Sequence, residues 1–185
     1  ARHYPALPPH RFPEFLARLA AYRGRLMTRI AVELSLLTFV RSSELRFARW
    51  DEFDFDKACW RIPAQREEIK GVRYSHRGMK MKEEHLVPLS RQALVLLERL
   101  KSLSGDNKRL FPGDHDPDKV MSENTVNNAL RAMGYDTKTE VCGHGFRTMA
   151  RGAFGESGLW SDDAIERQLS HSERNSVRAA YIHTS

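Results

Sequence analysis

Apolar residues follow a helical period over most of the chain. PEFLARLAAYR places them on one face, with Pro13 suited to a first turn, and RLMTRIAVELSLLTFV is apolar nearly all round. These patterns predict an amphipathic helix followed by a buried helix. SSELRFARW predicts a short amphipathic helix. SRQALVLLERLKSL predicts a helix that is capped by Ser90 and ends before Gly105.

Further helices are predicted in the second half of the chain. SENTVNNALRAMG predicts one with Ser122 as its N-cap and Gly134 after its end. Three more short helices are predicted in HGFRTMARGAFGESG, SDDAIERQLS and NSVRAAYIHT.

One central stretch alternates instead. DEFDFDKACWRIP is rich in aromatic and β-branched residues, which predicts two short strands with a turn near Asp56 and Lys57. HLVPL predicts a third strand, in which Pro88 favours an edge or a strand end. The charged stretch QREEIKGVRYSHRGMKMKEE between them predicts a long, mobile hairpin loop. The fold class is therefore α+β, mostly α, with a small three-stranded antiparallel sheet after the second or third helix.

The predicted domain organisation is a linker over residues 1–12 and a single domain over residues 13–185. ARHYPALPPH is proline-rich and aperiodic, and the missing initiator Met indicates a fragment of a longer protein. The sequence shows neither a signal peptide nor a membrane-length apolar run. Cys59 and Cys142 form no CxxC pair, which fits a reducing cytoplasm.

The charge distribution favours a polyanionic partner. The net charge is +6, and residues 1–50 alone hold nine arginines, no lysine and three acids. The remaining 135 residues therefore sum to zero. Such a basic end indicates nucleic acid, with a solvated basic surface as the alternative. Planar guanidinium groups favour the first reading, because they suit phosphate oxygens.

Familiar cofactor and metal motifs are missing from the sequence. It contains no GxGxxG, GxxxxGK[ST], HExxH or GxSxG. Cys142, His144, His171 and His183 fall in the last quarter, but only Cys142 and His144 are closely spaced. No metal site is therefore predicted.

Separated basic residues are the remaining candidates for chemistry. Arg41 follows the buried helix, and Glu44 lies three residues on, where it can face Arg41 and fix its rotamer. His144 and Arg147 stand in GHGFR, and a helix that begins there would aim both at an anion near its N-terminus. Taken alone, HxxR more often marks a surface histidine and a salt bridge.

The order of these residues resembles the catalytic domain of the tyrosine recombinases, most of all the phage and prophage integrases. The resemblance runs from about residue 26 to 183. It is carried by TFVRSSELRFARWDEFDFD, RIPA, HLVPLS, HxxR at 144–147, and LSH followed ten residues later by the tyrosine of VRAAY. It implies a helical bundle with a small three-stranded antiparallel sheet.

The resemblance also implies a role for each matching residue. Arg41 and Arg147 match the two clamp arginines, His144 and His171 the two histidines, and Tyr181 the nucleophile. The family also has a lysine in the β-hairpin. Three lysines in the loop between the second and third strands could match it, namely Lys70, Lys80 and Lys82. Lys80 lies eight residues before Pro88, as the family's lysine does before its proline, so it is the choice and Lys82 the runner-up.

The implied reaction is cleavage and rejoining of DNA through a 3′-phosphotyrosine, which needs no cofactor. The implied partner is double-stranded DNA at attachment sites, bound by a tetramer, with a monomer as the alternative for this fragment. Accessory DNA-bending proteins and an excisionase are further implied partners, and the implied location is the bacterial cytoplasm, at the nucleoid. The preceding region would be a DNA-binding domain.

Two departures from the family pattern and three rival readings remain. Phe39 stands where the family often has glycine, and the loop before Lys80 is unusually long. The rivals are an inactive DNA-binding relative, a type IB topoisomerase-like strand transferase and an all-α interaction domain. The intact set of six residues argues against the inactive relative, because a binder needs neither His144 nor Tyr181.

Overall fold

Six α-helices and three β-strands make up the part of the chain that the computed structural model describes. That part comprises residues 4–38, 40–76, 78 and 83–151, with the backbone alone at 147, 150 and 151. The helices are α1 (Phe12–Ala20), α2 (Leu26–Thr38), α3 (Ser42–Arg46), α4 (Arg91–Ser104), α5 (Thr125–Ala132) and α6 (Phe146–Arg151). The strands are β1 (Phe53–Asp54), β2 (Cys59–Ile62) and β3 (His85–Pro88). The helices predicted in SDDAIERQLS and NSVRAAYIHT lie outside the described residues.

Local signals in the sequence place the helix ends well. In α4 the Ser90 hydroxyl accepts a hydrogen bond from the Ala93 amide at 3.1 Å, and Gly105 follows the last turn, as predicted. The N-cap predicted for α5, Ser122, lies about one turn before the start of that helix. The Ser122 hydroxyl accepts from the Asn124 amide, and the helix itself begins at Thr125.

The sheet forms where the alternating pattern predicts it, directly after α3. Its order is β1-β2-β3, both pairs are antiparallel, and Trp60 pairs with Phe53 on one side and Val87 on the other. The Trp60 ring stacks on Phe53 at 5.1 Å and is fully buried. β3 is an edge strand, and Pro88, which has no amide hydrogen to donate to a neighbouring strand, is tolerated there. The α+β fold with a small three-stranded antiparallel sheet is thereby confirmed.

The described residues divide into two compact units. One comprises the chain up to Arg29 together with the residues from Val126 onward, and the other comprises Ile30–Thr125. In the first unit, Phe15 of α1 contacts the rings of Tyr135 and Phe146. In the second, Trp60 and the inner face of α4 are buried. The assignment of residues 1–12 to a linker remains a prediction, although Leu7 and Phe12 are both buried.

The connection between β2 and β3 is packed against other residues of the second unit over part of residues 63–76, while its predicted mobility stays a prediction. Ile69 packs with Phe47 and Val120, and the buried Ser75 hydroxyl accepts a hydrogen bond from the Ile69 amide at 2.7 Å. The backbone of Gly78 lies so close to Pro63 that an added Cβ would collide with the Pro63 carbonyl. The two ends of this segment therefore meet beside the end of β2. Only residues 79–82, which lie outside the described part, separate Gly78 from Glu83.

None of the helices in the described ranges is both long and apolar enough to cross a membrane.

Helix α4 offers a test of this core with one substitution at two positions. Leu96 is fully buried, whereas Leu103 on the same helix is 49% exposed. We expect Leu96→Ala to lower the free energy of unfolding by about 2–5 kcal/mol, because it leaves a cavity, and Leu103→Ala to change it by roughly 0.5 kcal/mol or less. Urea unfolding of both variants checks this, and equal losses would contradict the assigned inner face of α4.

Candidate active site

Arg41 is the residue directly before α3, and Glu44 of the first turn holds its backbone. The Arg41 amide donates a hydrogen bond to Glu44 Oε1 at 2.7 Å. The Arg41 guanidinium lies farther from the same oxygen, at 3.9 Å, and its side chain is 38% exposed. The predicted pairing of Arg41 with Glu44 is present. Its shortest contact, however, fixes the backbone of Arg41 at the helix start rather than the guanidinium.

A buried arginine holds the other end of α3. Arg66 Nη2 donates to the Glu44 carbonyl at 2.9 Å, and Nη1 donates to the Ser43 carbonyl at 3.4 Å. The last carbonyls of a helix have few partners within it, and Arg66 donates to two of them here. The Ser43 carbonyl also accepts a hydrogen bond from the Phe47 amide at 3.1 Å. A five-residue helix is too short to be stable alone, and these bonds fix it from outside.

Arg66 is itself held by Glu52. Its Nε and Nη2 donate to the two oxygens of the Glu52 carboxylate, both at 2.9 Å, and both side chains are buried. Glu52 Oε1 also accepts from the indole N–H of Trp60 at 3.1 Å. In addition, the Arg66 amide donates to the His76 carbonyl at 2.7 Å. One ion pair thus joins α3, the sheet and the connection between β2 and β3.

His144 lies in the 3₁₀ turn Gly143–Gly145, immediately before α6. The Gly143 amide donates to Oδ1 of Asn127 in α5 at 2.9 Å, and the Cys142 amide donates to the Pro5 carbonyl at 3.3 Å. The His144 side chain is exposed, and its ring stacks on Tyr4 with centroids 4.7 Å apart. The turn is therefore fixed on both sides while its imidazole remains accessible.

Buried residues flank the same turn. Phe146, the first residue of α6, is buried and meets the Phe15 ring edge-on at 5.8 Å. Val141 and Met149 are buried as well. Arg147 is the second residue of α6, so the backbone carries it one helical turn after His144, as the HxxR spacing predicts.

The structure brings the site residues together in two groups. Arg41 and Glu44 lie in the second unit, and His144 and Arg147 lie in the first. Lys80, its runner-up Lys82, His171 and Tyr181 lie outside the described residues. The catalytic roles of all the site residues stay predictions.

The four other tyrosines of the chain are all in the described part. Burial, with Glu14 nearby, raises the pKa of Tyr135 to about 12, and burial also raises the pKa of Tyr22. A phenol with a raised pKa is harder to deprotonate and hence a poorer nucleophile. Tyr74 belongs to the connection between β2 and β3, and Tyr4 stacks on His144.

Sequence reasoning missed the residues that position the site. No sequence pattern marked Arg66, Glu52 or Asn127 as positioning residues. One available signal was the pair of glycines in GHGF, since glycine often marks a close approach of two backbones. An added Cβ on Gly145 would indeed collide with the Pro5 carbonyl. Across the described ranges, no group of three or more His, Cys, Asp and Glu residues is arranged to hold a metal ion.

Comparisons with known proteins agree with this fold. The sequence profile of the phage integrase family matches residues 7–185. The integrase of Enterobacteria phage P4 is 88% identical over 185 residues, which is 100% of this chain and 42% of that protein. The chain therefore spans less than half the length of this relative.

Two solved structures share the fold at low sequence identity. The Tn1549 transposon integrase in complex with a circular intermediate DNA has a TM-score of 0.62 at 13% identity, covering 99% of this chain and 67% of that one. A lambda integrase tetramer bound to a Holliday junction has a TM-score of 0.56 at 16% identity, covering 91% and 47%.

The Arg66–Glu52 pair yields a stability prediction. Arg66→Ala leaves the Glu52 carboxylate buried and unpaired, so we expect a loss of about 3–5 kcal/mol in the free energy of unfolding. Arg61→Ala is the matched control. Arg61 of β2 pairs with Glu84, the residue directly before β3, but that pair is exposed, and its loss should cost about 1 kcal/mol or less. Urea unfolding measures both, and similar losses would show that burial gives the Arg66 pair no special role.

Proposed function

The chain belongs to the phage integrase family, and we propose that it carries the strand-transfer centre of a site-specific DNA recombinase that integrates or excises a mobile element. The observation that carries this proposal is the fixed turn at His144 with Arg147 one helical turn later. The order Arg41, Lys80, His144, Arg147, His171 and Tyr181 in the sequence supports it.

The proposed reaction exchanges one phosphodiester for another. Tyr181 Oη attacks the phosphorus, its proton passes to His144, and the P–O5′ bond breaks. Lys80 protonates the leaving 5′-oxygen, and the DNA is left on the enzyme as a 3′-phosphotyrosine. A 5′-hydroxyl of a second strand then reverses these steps and rejoins the DNA. Each bond broken is replaced by a bond of the same kind, so no external energy source is needed.

The arginines have an electrostatic role in this proposal. The phosphodiester is anionic, and its transition state spreads charge over the non-bridging oxygens. Arg41 and Arg147 would donate paired hydrogen bonds there, and a guanidinium stays charged at any relevant pH. His171 would donate to a non-bridging oxygen. The 38% exposure of the Arg41 side chain fits such a role, because the group is accessible and its backbone is fixed.

Double-stranded DNA at attachment sites is the proposed partner. The basic first fifty residues support it, as do the relatives whose structures hold a circular intermediate DNA or a Holliday junction. We propose a tetramer on DNA, by analogy with the lambda integrase tetramer. DNA-bending proteins and an excisionase are proposed accessory partners, and the bacterial cytoplasm, at the nucleoid, is the proposed location.

Covalent trapping tests the nucleophile. The protein in its full natural length is given a nicked attachment-site duplex, and a denaturing gel separates any protein–DNA adduct. We expect an adduct linked through a 3′-phosphate that Tyr181→Phe abolishes, because the phenol oxygen is the attacking atom. Tyr74→Phe is the control and should leave the adduct intact.

An adduct that survives Tyr181→Phe would identify another tyrosine as nucleophile. DNA binding without any adduct would favour an inactive relative. Relaxation of supercoils by a monomer, without recombinant junctions, would favour a topoisomerase-like transferase.

A second experiment separates Lys80 from Lys82. We expect Lys80→Ala to slow cleavage of the normal ester by about 10²–10⁴-fold, because the 5′-oxygen then leaves without a proton. Replacing that oxygen with sulfur should restore the rate, since a thiol, with a pKa of about 8.5, leaves as the anion. Lys82→Ala should have little effect, and Arg41→Ala should not be rescued by sulfur. The reverse pattern for the two lysines would move the assignment to Lys82.

A further inference from the structure

The side chain of Tyr4 stacks on the imidazole of His144. The ring centroids are 4.7 Å apart and the planes differ by 24°. Both side chains are exposed, Tyr4 by 48%, so burial in a core does not force this contact. No pattern in the sequence connects the two residues, which are far apart in the chain.

The backbone around Tyr4 is bound to the same turn. The Pro5 carbonyl accepts a hydrogen bond from the Cys142 amide at 3.3 Å. The same carbonyl oxygen occupies the space that a Cβ on Gly145 would need. The backbone segments at Pro5 and Gly145 therefore approach closely, which the glycine permits. Leu7, two residues farther on, is 3% exposed and anchors the segment. The stacking is therefore part of a docked segment.

We propose that Tyr4 is a positioning residue for His144, a proposal that rests on the function proposed above. An exposed imidazole on a short turn can rotate about two side-chain bonds, and most of its orientations do not suit proton transfer. A general base must lie within hydrogen-bond reach of the proton that it takes. Tyr4 selects one ring orientation before DNA binds, and so lowers the cost of reaching the reactive arrangement.

Stacking suits this task because it uses only the face of the imidazole. Both ring nitrogens lie on the edge, where a hydrogen bond to a phenol or a phosphate oxygen is made in the ring plane. A partner bonded to a ring nitrogen would instead compete with the substrate. The ring of Tyr4 is what matters here, and its hydroxyl is not needed. An aromatic pair of this kind corresponds to about a threefold to tenfold effect on a rate.

The first test measures covalent-complex formation at rising DNA concentration, in the protein at its full natural length. We expect Tyr4→Leu to lower the rate at saturating DNA by about threefold to tenfold and to leave the half-saturating concentration unchanged. Tyr4→Phe should restore the rate, because it keeps the ring. Tyr74→Leu is the matched control, since Tyr74 is exposed to the same degree, at 49%, and should have no effect.

The second test does not depend on activity. In protein labelled with ¹³C at histidine Cε1, the His144 signal is the one that disappears in His144→Gln. Loss of the neighbouring ring current should move this signal in Tyr4→Leu and leave it nearly in place in Tyr4→Phe. Tyr74→Leu should not move it.

The outcomes separate this inference from the function on which it rests. A wild-type protein that forms no adduct refutes the proposed function. An unmoved His144 signal in Tyr4→Leu refutes the stacking whatever the activity. A moved signal with an unchanged saturating rate refutes the positioning role. A raised half-saturating concentration with an unchanged saturating rate makes Tyr4 a DNA contact instead.

Discussion

The buried ion pair between Arg66 and Glu52 is the interaction on which the described part of the second unit depends. Removing two charges from water costs several kcal/mol for each ion, and only good geometry with further hydrogen bonds offsets that cost. Here Arg66 meets both Glu52 oxygens and two carbonyls of α3, while Glu52 also receives the Trp60 indole. A partly formed pair would leave a buried charge without hydrogen bonds, which is costly. The complete pair therefore fixes α3, the sheet and the connection between β2 and β3 in one arrangement.

The position of Arg41 follows from this pair. Helix α3 has five residues and makes too few internal bonds to persist alone. The Glu44 carboxylate holds its first turn, and Arg66 holds its last carbonyls. Glu44 thus acts at both ends, through its side chain at one and its backbone at the other. The predicted clamp arginine is placed by a partner that lies 22 residues away from Glu44 in the sequence.

Local signals explain what could be predicted from the sequence. Helix α4 has its cap, its apolar face and its terminal glycine within sixteen consecutive residues, so its ends were predictable. The sheet followed from alternation and from one turn. The packing of residues 66–76 was not predictable in this way, because Arg66, Ile69 and Ser75 follow no period and sit among charges. The partners of Arg66 and Ile69, namely Glu52, Phe47 and Val120, lie at least 14 residues away, where no local pattern connects them.

The same distinction holds for the candidate site. The residue order that resembles the family predicted roles for Arg41 and His144, but it predicted neither their backbone contacts nor the stacking of Tyr4. Glu44 is 2.7 Å from the Arg41 amide and 3.9 Å from its guanidinium. A carboxylate paired closely with the guanidinium would have to be displaced before a phosphate could bind there. Holding the backbone fixes the origin of the side chain and leaves its charge available.

The turn at His144 follows the same rule, since Asn127 and Pro5 bind its backbone while the ring nitrogens lie on an edge that stacking does not cover. In the proposed reaction, such a preorganised arrangement would supply fixed dipoles and charges without having to rearrange them.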